Sequence, residues 1–420
     1  MILIKSGKVV GAKKTEVCDI LIKDSIIYKI GKDIVSDKAK IIDAKGLTVI
    51  PGMIDMHCHI REPGQEYKED IMSGAKAAVK GGFTSIVCMP NTDPVIDNAS
   101  LIDYIIKRAK QVNLAKIYPT GAITKGLEGK QLAEMGEMKD AGAIAFTDDG
   151  RPVIDGKMMK NALNYAKTFG ALLTLHCEDL DIRADGVMNE GYYSTMLGLR
   201  GTSRVAEESM IARDILLAES YGAKIHIAHV STKGAFEIIR QAKKRGVNVT
   251  CETMPHYFSA DDSWVCGYDS NTKVSPPLRT SYDVKATINA IKDGTADAIA
   301  TDHAPHHEDE KNVEYDIAAF GISGFESALS LIATNLLNNG VSIEKIAELT
   351  SKNPAKILGL DYGEIKEGQA ADITIFDENI TYTFNKEDMI SKGKNSPFIG
   401  KELKGKVQMT IVDGEIKYEV

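Results

Sequence analysis

Apolar positions follow three successive rhythms along this chain. Over residues 1–50, short apolar runs at 2–4, 19–22, 26–30, 41–42 and 47–50 are punctuated by Gly7, Gly11, Lys23-Asp24 and Gly31. That rhythm predicts short strands joined by turns, a β module too small to be stable alone. From about 52 to 340, apolar runs alternate with stretches whose apolar residues recur every three or four positions. Strands are predicted at 53–57, 84–89, 116–122, 143–147, 172–176, 224–230, 247–252 and 298–301. Amphipathic helices are predicted between them, at 68–80, 100–111, 156–169, 203–221, 233–245 and 282–292. Eight strands with intervening helices point to an α/β fold, a (β/α)8 TIM-like barrel. Pro276-Pro277 marks a rigid loop before the last barrel unit, and 324–337, 342–349 and 353–358 read as helices that close the barrel. The strand rhythm then returns at 373–376, 380–383 and 407–412. The simplest arrangement pairs these late strands with the early ones. It gives a composite β-sandwich from 1–51 and 359–420 beside a barrel spanning 52–358. The lysine-rich stretch 392–406 reads as a solvated surface loop.

Composition narrows the class. The 420 residues carry a net charge of −8, with 43% hydrophobic and 26% charged residues, ordinary for a soluble globular protein. An acidic chain argues against nucleic acid or an anionic membrane as the main partner, since both need a basic face. No apolar run is long enough to span a bilayer. Met1-Ile-Leu-Ile-Lys5 is too short and too soon charged for a signal peptide. Six cysteines at 18, 58, 88, 177, 251 and 266 form no Cys-x-x-Cys pair, so a reduced, cytoplasmic protein is expected.

Candidate chemistry enters with Pro51-Gly-Met-Ile-Asp-Met-His57-Cys-His59-Ile-Arg61. On a strand, His57 and His59 face one way and Cys58 the other. Two imidazoles on a rigid strand end can chelate a transition metal. Arg61 is a planar cation suited to a carboxylate. By itself His-x-His is as easily chance as a site. In such barrels, however, the active site lies at the C-terminal ends of the strands. There the sequence places Asn91, Asp148-Asp149, His176, His229 and Asp302-His303 with His306-His307, so that seven of nine histidines gather at one rim. Imidazole and carboxylate ligands without thiolate pairs suit Zn²⁺ in an open catalytic site, where water reaches a pKa of about 7. Asp302 is the candidate proton carrier. Asp149 is the candidate bridge between two ions. His226 has the opposite strand parity to His229 and is read as packed. Asp148 is read as a loop brace, His256 as rim or structure with equal weight, His307 as solvated, and Cys58 and Cys177 as buried packing thiols.

These residues resemble the cyclic-amidohydrolase branch of the amidohydrolase superfamily over nearly the whole chain. More narrowly, His57-Cys-His-Ile-Arg-Glu-Pro-Gly64, Met89-Pro-Asn-Thr-Asp-Pro94, Phe146-Thr-Asp-Asp-Gly150, Pro276-Pro-Leu-Arg279 and Asp302-His-Ala-Pro-His306 resemble long-chain dihydroorotases. The resemblance implies reversible cyclisation of N-carbamoyl-L-aspartate to L-dihydroorotate in pyrimidine synthesis, with hydroxide generated at the metal attacking the ring amide carbonyl. His57, His59, Asp149, His176 and His229 would hold zinc, one ion or two with two favoured. Asp302 would be the acid/base and a further ligand. Arg61, Asn91 and His306 would hold the substrate carboxylate, with His59, Ser275, Phe320 and Gly321 also on the substrate. Many members have an asparagine where this chain has Ser275, whose shorter side chain can still hydrogen-bond. Relatives such as hydantoinases and allantoinases bridge their metals with a carboxylated lysine. No lysine occurs over 143–150, where Asp149 stands, and their substrates offer Arg61 no carboxylate. Two rival readings remain: a hydantoinase or allantoinase type of cyclic amidase, and a non-catalytic scaffold for aspartate transcarbamoylase. A small-molecule substrate and a homo-oligomer are expected, and association with aspartate transcarbamoylase stays open. The long segments 179–201 and 303–324 are the two candidate lids.

Overall fold

The alternating apolar side chains of the first fifty residues build five strands: β1 (Ile2–Val10), β2 (Thr15–Lys23), β3 (Ile26–Gly31), β4 (Lys40–Asp43) and β5 (Thr48–Pro51). β1 pairs antiparallel with β2, and parallel with β4 and with β5. The coordinates are a computed structural model and describe residues 1–420.

The barrel strands follow: β6 (Met53–Cys58), β7 (Phe83–Cys88), β8 (Lys116–Pro119) and β9 (Leu173–Leu175). After a small parallel pair, β10 (Met188–Asn189) and β11 (Gly201–Thr202), come β12 (Ile225–Ile227), β13 (Val249–Thr253) and β14 (Ala298–Ile299). β6-β7-β8 form one parallel sheet and β9-β12-β13-β14 another. Isolated bridges close the ring: Gly121 to Phe146, Phe146 to Leu173, and Cys58 to His303. The predicted fourth strand at 143–147 is thus reduced to Phe146. The segment still carries the hydrogen bonds of a short strand, with the Ile144 N–H on the Pro119 carbonyl and the Phe146 N–H on the Leu172 carbonyl, and beyond it the Asp148 carboxylate accepts the Ile123 and Thr124 N–H groups at 2.8 and 2.9 Å.

The helices sit where the period placed them, and all but Val205–Tyr221 have a side-chain cap at the N-terminus. Helix Ile71–Lys80 starts later than the predicted 68 because Asp70 caps it, accepting from the Ser73 N–H at 2.7 Å. Helices Ala99–Val112, Gly156–Thr168, Val205–Tyr221, Lys233–Lys244 and Ser281–Asp293 follow. Their apolar faces and the strands enclose a core of 67 buried residues.

The chain then returns to its beginning. β15 (Ile373–Thr383) pairs antiparallel with β5, β16 (Glu402–Val412) with β15, and β17 (Glu415–Glu419) with β16. β15 merges the two strands predicted at 373–376 and 380–383. β17 has no apolar run to announce it. The resulting eight-stranded sheet encloses its own core of 16 residues. It is tied to the barrel by Phe376 and Val407 in the main core and by Thr374 and Thr410, whose hydroxyls donate to the Gly82 and Val79 carbonyls.

The stretch 392–406 is not a solvated loop. Gly393, Asn395, Ser396 and Phe398 are buried, and 402–406 belong to β16. The lysines point outward between them while the small and apolar residues pack against the barrel mouth. No helix is long and apolar enough to cross a membrane.

Candidate metal centre

Two strands are locked together at the rim before any ligand is considered. Asp55 on β6 accepts from the Thr301 N–H at 2.8 Å and from its hydroxyl at 2.6 Å, and His59 N–H donates to the His303 carbonyl at 2.8 Å. This sets His59 Nε2 3.0 Å from Asp302 Oδ1. Asp149 lies at the centre of the cluster. Its Oδ1 is 3.3 Å from His57 Nε2, 3.4 Å from His176 Nδ1 and 3.3 Å from His229 Nε2, and its Oδ2 is 3.4 Å from His59 Nε2. Donor atoms of His57, Asp149 and His229 converge within 4.8 Å, as do those of His57, His59 and Asp302.

His57 shows how the cluster is primed. Its Nδ1 lies 2.9 Å from Glu252 Oε1, so that N–H belongs to Glu252 and the Nε2 lone pair faces Asp149. That Nε2 is fully buried and makes no hydrogen bond. A buried polar atom of this kind is costly unless something accepts its lone pair. A carboxylate behind an imidazole is also the usual partner of a metal-ligating histidine. His176 Nδ1 and His229 Nε2 are 2.7 Å apart, two more ring nitrogens aimed at one point. The residues therefore fit a divalent cation on either side of Asp149. Burial opposes charge on Asp149 and Asp302, but the facing histidines, when protonated, outweigh it, as a cation in the same place would. Asp149 is held well below the usual carboxylate range, and Asp302, bonded to His59, falls to about 2.

Beside the cluster is a cavity of about 180 Å³ lined by His59, Arg61, Asn91, Asp149, His176, His229, Ser275, Asp302, His306, Phe320 and Gly321. His57 lies beneath it, wholly buried. Arg61 donates from Nε to the Pro305 carbonyl at 3.2 Å and has Nη2 3.3 Å from His306 Nε2. Asn91 Oδ1 is 2.8 Å from His59 Nδ1. Ser275 Oγ donates to Glu178 Oε2 at 2.9 Å. Arg61, His229 and Asp302 have φ of +66°, +36° and +47°. Side chains in that left-handed region cost about 1–2 kcal/mol each, a strain held by the surrounding buried ladder. Gly321 has φ of +149°, and a Cβ there would sit 2.6 Å from the Ala304 carbonyl.

Not every rim histidine joins the site. His303 stacks on Phe325 at 4.0 Å and accepts from the Gly324 N–H, and His307 caps a short helix at the surface. His226 is packed, with Nδ1 2.8 Å from Thr250 Oγ1. Asp148 braces the loop, and burial pushes its carboxyl up to about 6. His256 is buried, which lowers its pKa to about 4.

Sequence reasoning missed Glu252, Glu178 and the clamp on the last site loop. The signal for the first was an acid inside Val249-Thr-Cys-Glu-Thr253, where a barrel strand has no solvent to offer. In the clamp, Asn395 Nδ2 donates to the Ala304 and Gly321 carbonyls at 3.0 and 2.9 Å, and its Oδ1 accepts from the His306 N–H at 2.9 Å. Lys311 Nζ donates to the Ala319 and Gly321 carbonyls at 2.7 and 3.2 Å.

Residues 46–235 match the model of the family described as Dihydro-orotase-like, and residues 218–418 that of the Amidohydrolase family. A dihydroorotase of Acetivibrio thermocellus is 52% identical over 417 residues, 99% of this chain and 98% of its own. One of Geobacter metallireducens is 50% identical over 422 residues, covering 100% and 99%. The chain belongs to the dihydroorotase family. Among solved structures, an L-hydantoinase from Arthrobacter aurescens superposes with a TM-score of 0.90 at 26% identity, covering 100% of this chain and 96% of that one. A dihydropyrimidinase from Brevibacillus agri gives 0.87 at 25%, covering 99% and 94%. The dihydroorotase family thus shares its barrel and β-sandwich with these cyclic amidohydrolases, and this chain is an enzyme of that kind. Its family and its converging donor sets together imply a metal cofactor.

Proposed function

We propose that the chain interconverts N-carbamoyl-L-aspartate and L-dihydroorotate plus water, a step of pyrimidine nucleotide synthesis. The observation that carries the reading is one cavity in which a histidine–aspartate cluster around Asp149 adjoins the buried guanidinium of Arg61. Cyclic amides without a carboxylate would offer that cation no anionic partner, which is why the hydantoinase and allantoinase readings rank lower despite the structural likeness.

Zinc is the proposed ion, two per chain. His57, His59 and Asp302 would hold one, His176 and His229 the other, and Asp149 would stand between them. Bound there, the metal supplies a Lewis acid and brings water to a pKa of about 7. Arg61, Asn91 and His306 grip the substrate carboxylate and orient the ring. Asp302, 3.0 Å from His59 Nε2, takes the proton of the attacking water and hands it to the ring nitrogen as the amide opens. On cyclisation the same carboxyl returns a proton to the departing oxygen. His59 and Ser275, with the Phe320-Gly321 backbone, complete the wall around the ring. The same reading takes the barrel as 52–358 and the sandwich as 1–51 with 359–420. It takes the chain as cytoplasmic and homo-oligomeric, with association with aspartate transcarbamoylase as its macromolecular alternative.

The test is ring opening of L-dihydroorotate by the zinc-supplemented protein, beside hydantoin, allantoin and an Asp302→Asn variant. Turnover of dihydroorotate alone, reduced roughly 10²–10⁴-fold in the variant, is the expected result. Preference for hydantoin or allantoin overturns the substrate assignment. A chain that takes up no zinc and turns over nothing reinstates the scaffold reading.

A further inference from the structure

One cation in the cavity has no part in the scheme above. Arg183 ends the short helix Leu180–Arg183, in the segment between β9 and helix Val205–Tyr221. It lines the same cavity as Asp302 and Ser275. Its Nε lies 3.3 Å from Glu178 Oε2, and its Cζ stands 4.9 Å above the centre of the Phe320 ring. Glu178 is buried at 1% exposure, and its Oε2 also accepts the Ser275 hydroxyl proton at 2.9 Å. Two consequences follow. Ser275 has spent its only proton on Glu178 and cannot donate to a ligand. Arg183, anchored through Nε to Glu178 and set over the Phe320 ring, has Nη groups with no hydrogen-bond partner in the protein, which leaves them for a ligand in the cavity.

We propose that Arg183 is a substrate-binding residue that donates hydrogen bonds to the ureido carbonyl oxygen of the dihydroorotate ring, the carbonyl between the two ring nitrogens. The assignment rests on the functional reading above. Dihydroorotate presents three polar corners: its carboxylate, the amide carbonyl that opens, and the ureido carbonyl. The first is met by Arg61, Asn91 and His306, and the second by the cluster around Asp149. The wall that remains is Arg183, Ser275 and Phe320 with Gly321, and its free donor is the guanidinium. Glu178 balances the charge, so the arginine can stay in a largely enclosed wall without an excess cation. An ionised donor also gives a stronger hydrogen bond than a neutral side chain could. The contact serves affinity for the ureide, which hydantoins share. Discrimination stays with Arg61.

The experiment compares L-dihydroorotate with its 2-thio analogue, in which the ureido oxygen is sulfur, a weak acceptor. The wild type and Arg183→Met are assayed as zinc-loaded proteins. Loss of a charge-assisted hydrogen bond predicts a KM for dihydroorotate raised about tenfold or more in the variant, with kcat changed far less. The wild type's preference for oxygen over sulfur should collapse toward unity in Arg183→Met. A merely structural role would weaken both substrates alike and leave the preference intact, and that result overturns the proposal. So does an unchanged KM. Arg183→Gln, which keeps a polar head for Glu178, carries the same two readouts should the methionine variant not fold. A wild type inert toward dihydroorotate overturns the functional reading and this inference with it. An active wild type with an indifferent Arg183→Met overturns this inference alone.

Discussion

Glu252 offers the sharpest test of how the metal site is built. Its Oε1 is 2.9 Å from His57 Nδ1, its Oε2 is 3.3 Å from His226 Nε2, and none of the three side chains is exposed. Glu252→Ala would strand the His57 N–H in a site with no water to replace the carboxylate, at a cost of about 1–3 kcal/mol. It would also free the ring to carry its proton on Nε2, the atom that faces Asp149 and Asp302. Losing an orienting partner of this kind lowers metal affinity about 10–100-fold, or roughly 1.4–2.7 kcal/mol. Glu252→Gln separates geometry from charge. Its amide oxygen can still accept from His57, and its NH₂ can face His226, so affinity should fall by no more than about tenfold. Titration of zinc-loaded protein against a chromophoric chelator reads the affinity, and thermal melts of the same samples read the folding cost. Wild-type zinc affinity in Glu252→Ala would refute the reasoning. A glutamine variant as weak as the alanine variant would show that charge, rather than the fixed tautomer, is what Glu252 provides.

Two further expectations concern the loop that carries His306 and Gly321. Asn395→Ala removes the acceptor for the His306 N–H and the donor to the Ala304 and Gly321 carbonyls, so a loss of about 3 kcal/mol is expected. Faster amide exchange over 303–323 should accompany it, and a stability change under about 0.5 kcal/mol would contradict the clamp. Lys311 tests the sign of a buried charge. Burial, then the neighbouring Lys273, pushes its pKa down to about 7, against about 10.4 in the unfolded chain. Between those values the native state binds fewer protons, so stability from this group rises with pH across about 7–10, by at most about 1.4 kcal/mol per unit. Below pH 7 both states are protonated and the burial penalty is complete. Urea midpoints of the wild type and Lys311→Met, measured from pH 6.5 to 9.5, should converge or cross, and parallel curves would reject the assignment.

What could be read in advance was whatever depends on near neighbours in the chain. His57 and His59 share a strand face by parity, and the same parity separated Asp149 from Asp148 and His229 from His226. His57 and His59 meet at the cluster as parity placed them, whereas Asp149 and His229 reach it from beyond their strand ends, His229 with φ of +36°, where alternation no longer applies. The failures involve partners far apart in sequence. Glu252 matters because it lies behind His57, 195 residues away. The stretch 392–406 looked solvated because its lysines dominate the composition, whereas the residues between them decide its place. Asn395 reaches 91 residues back to Ala304. His303, one residue beyond Asp302, shows the limit of counting histidines at a rim, since its ring stacks on Phe325 behind the cavity.

The pairing of β5 with β15 carries a consequence for how the protein is made. β5 ends at Pro51 and its second neighbour begins at Ile373. A ribosome adding 5–20 residues per second needs roughly 16–64 s to cover that interval. Throughout it, the emerging N-terminal strands have one ladder edge bare, the kind of edge that recruits other chains. Asn395 leaves the ribosome later still. A nascent chain arrested near residue 390 would therefore contain every histidine and aspartate of the metal cluster, yet lack the side chain that fastens His306 and Gly321. Its capacity to bind a metal ion would precede its capacity to hold substrate.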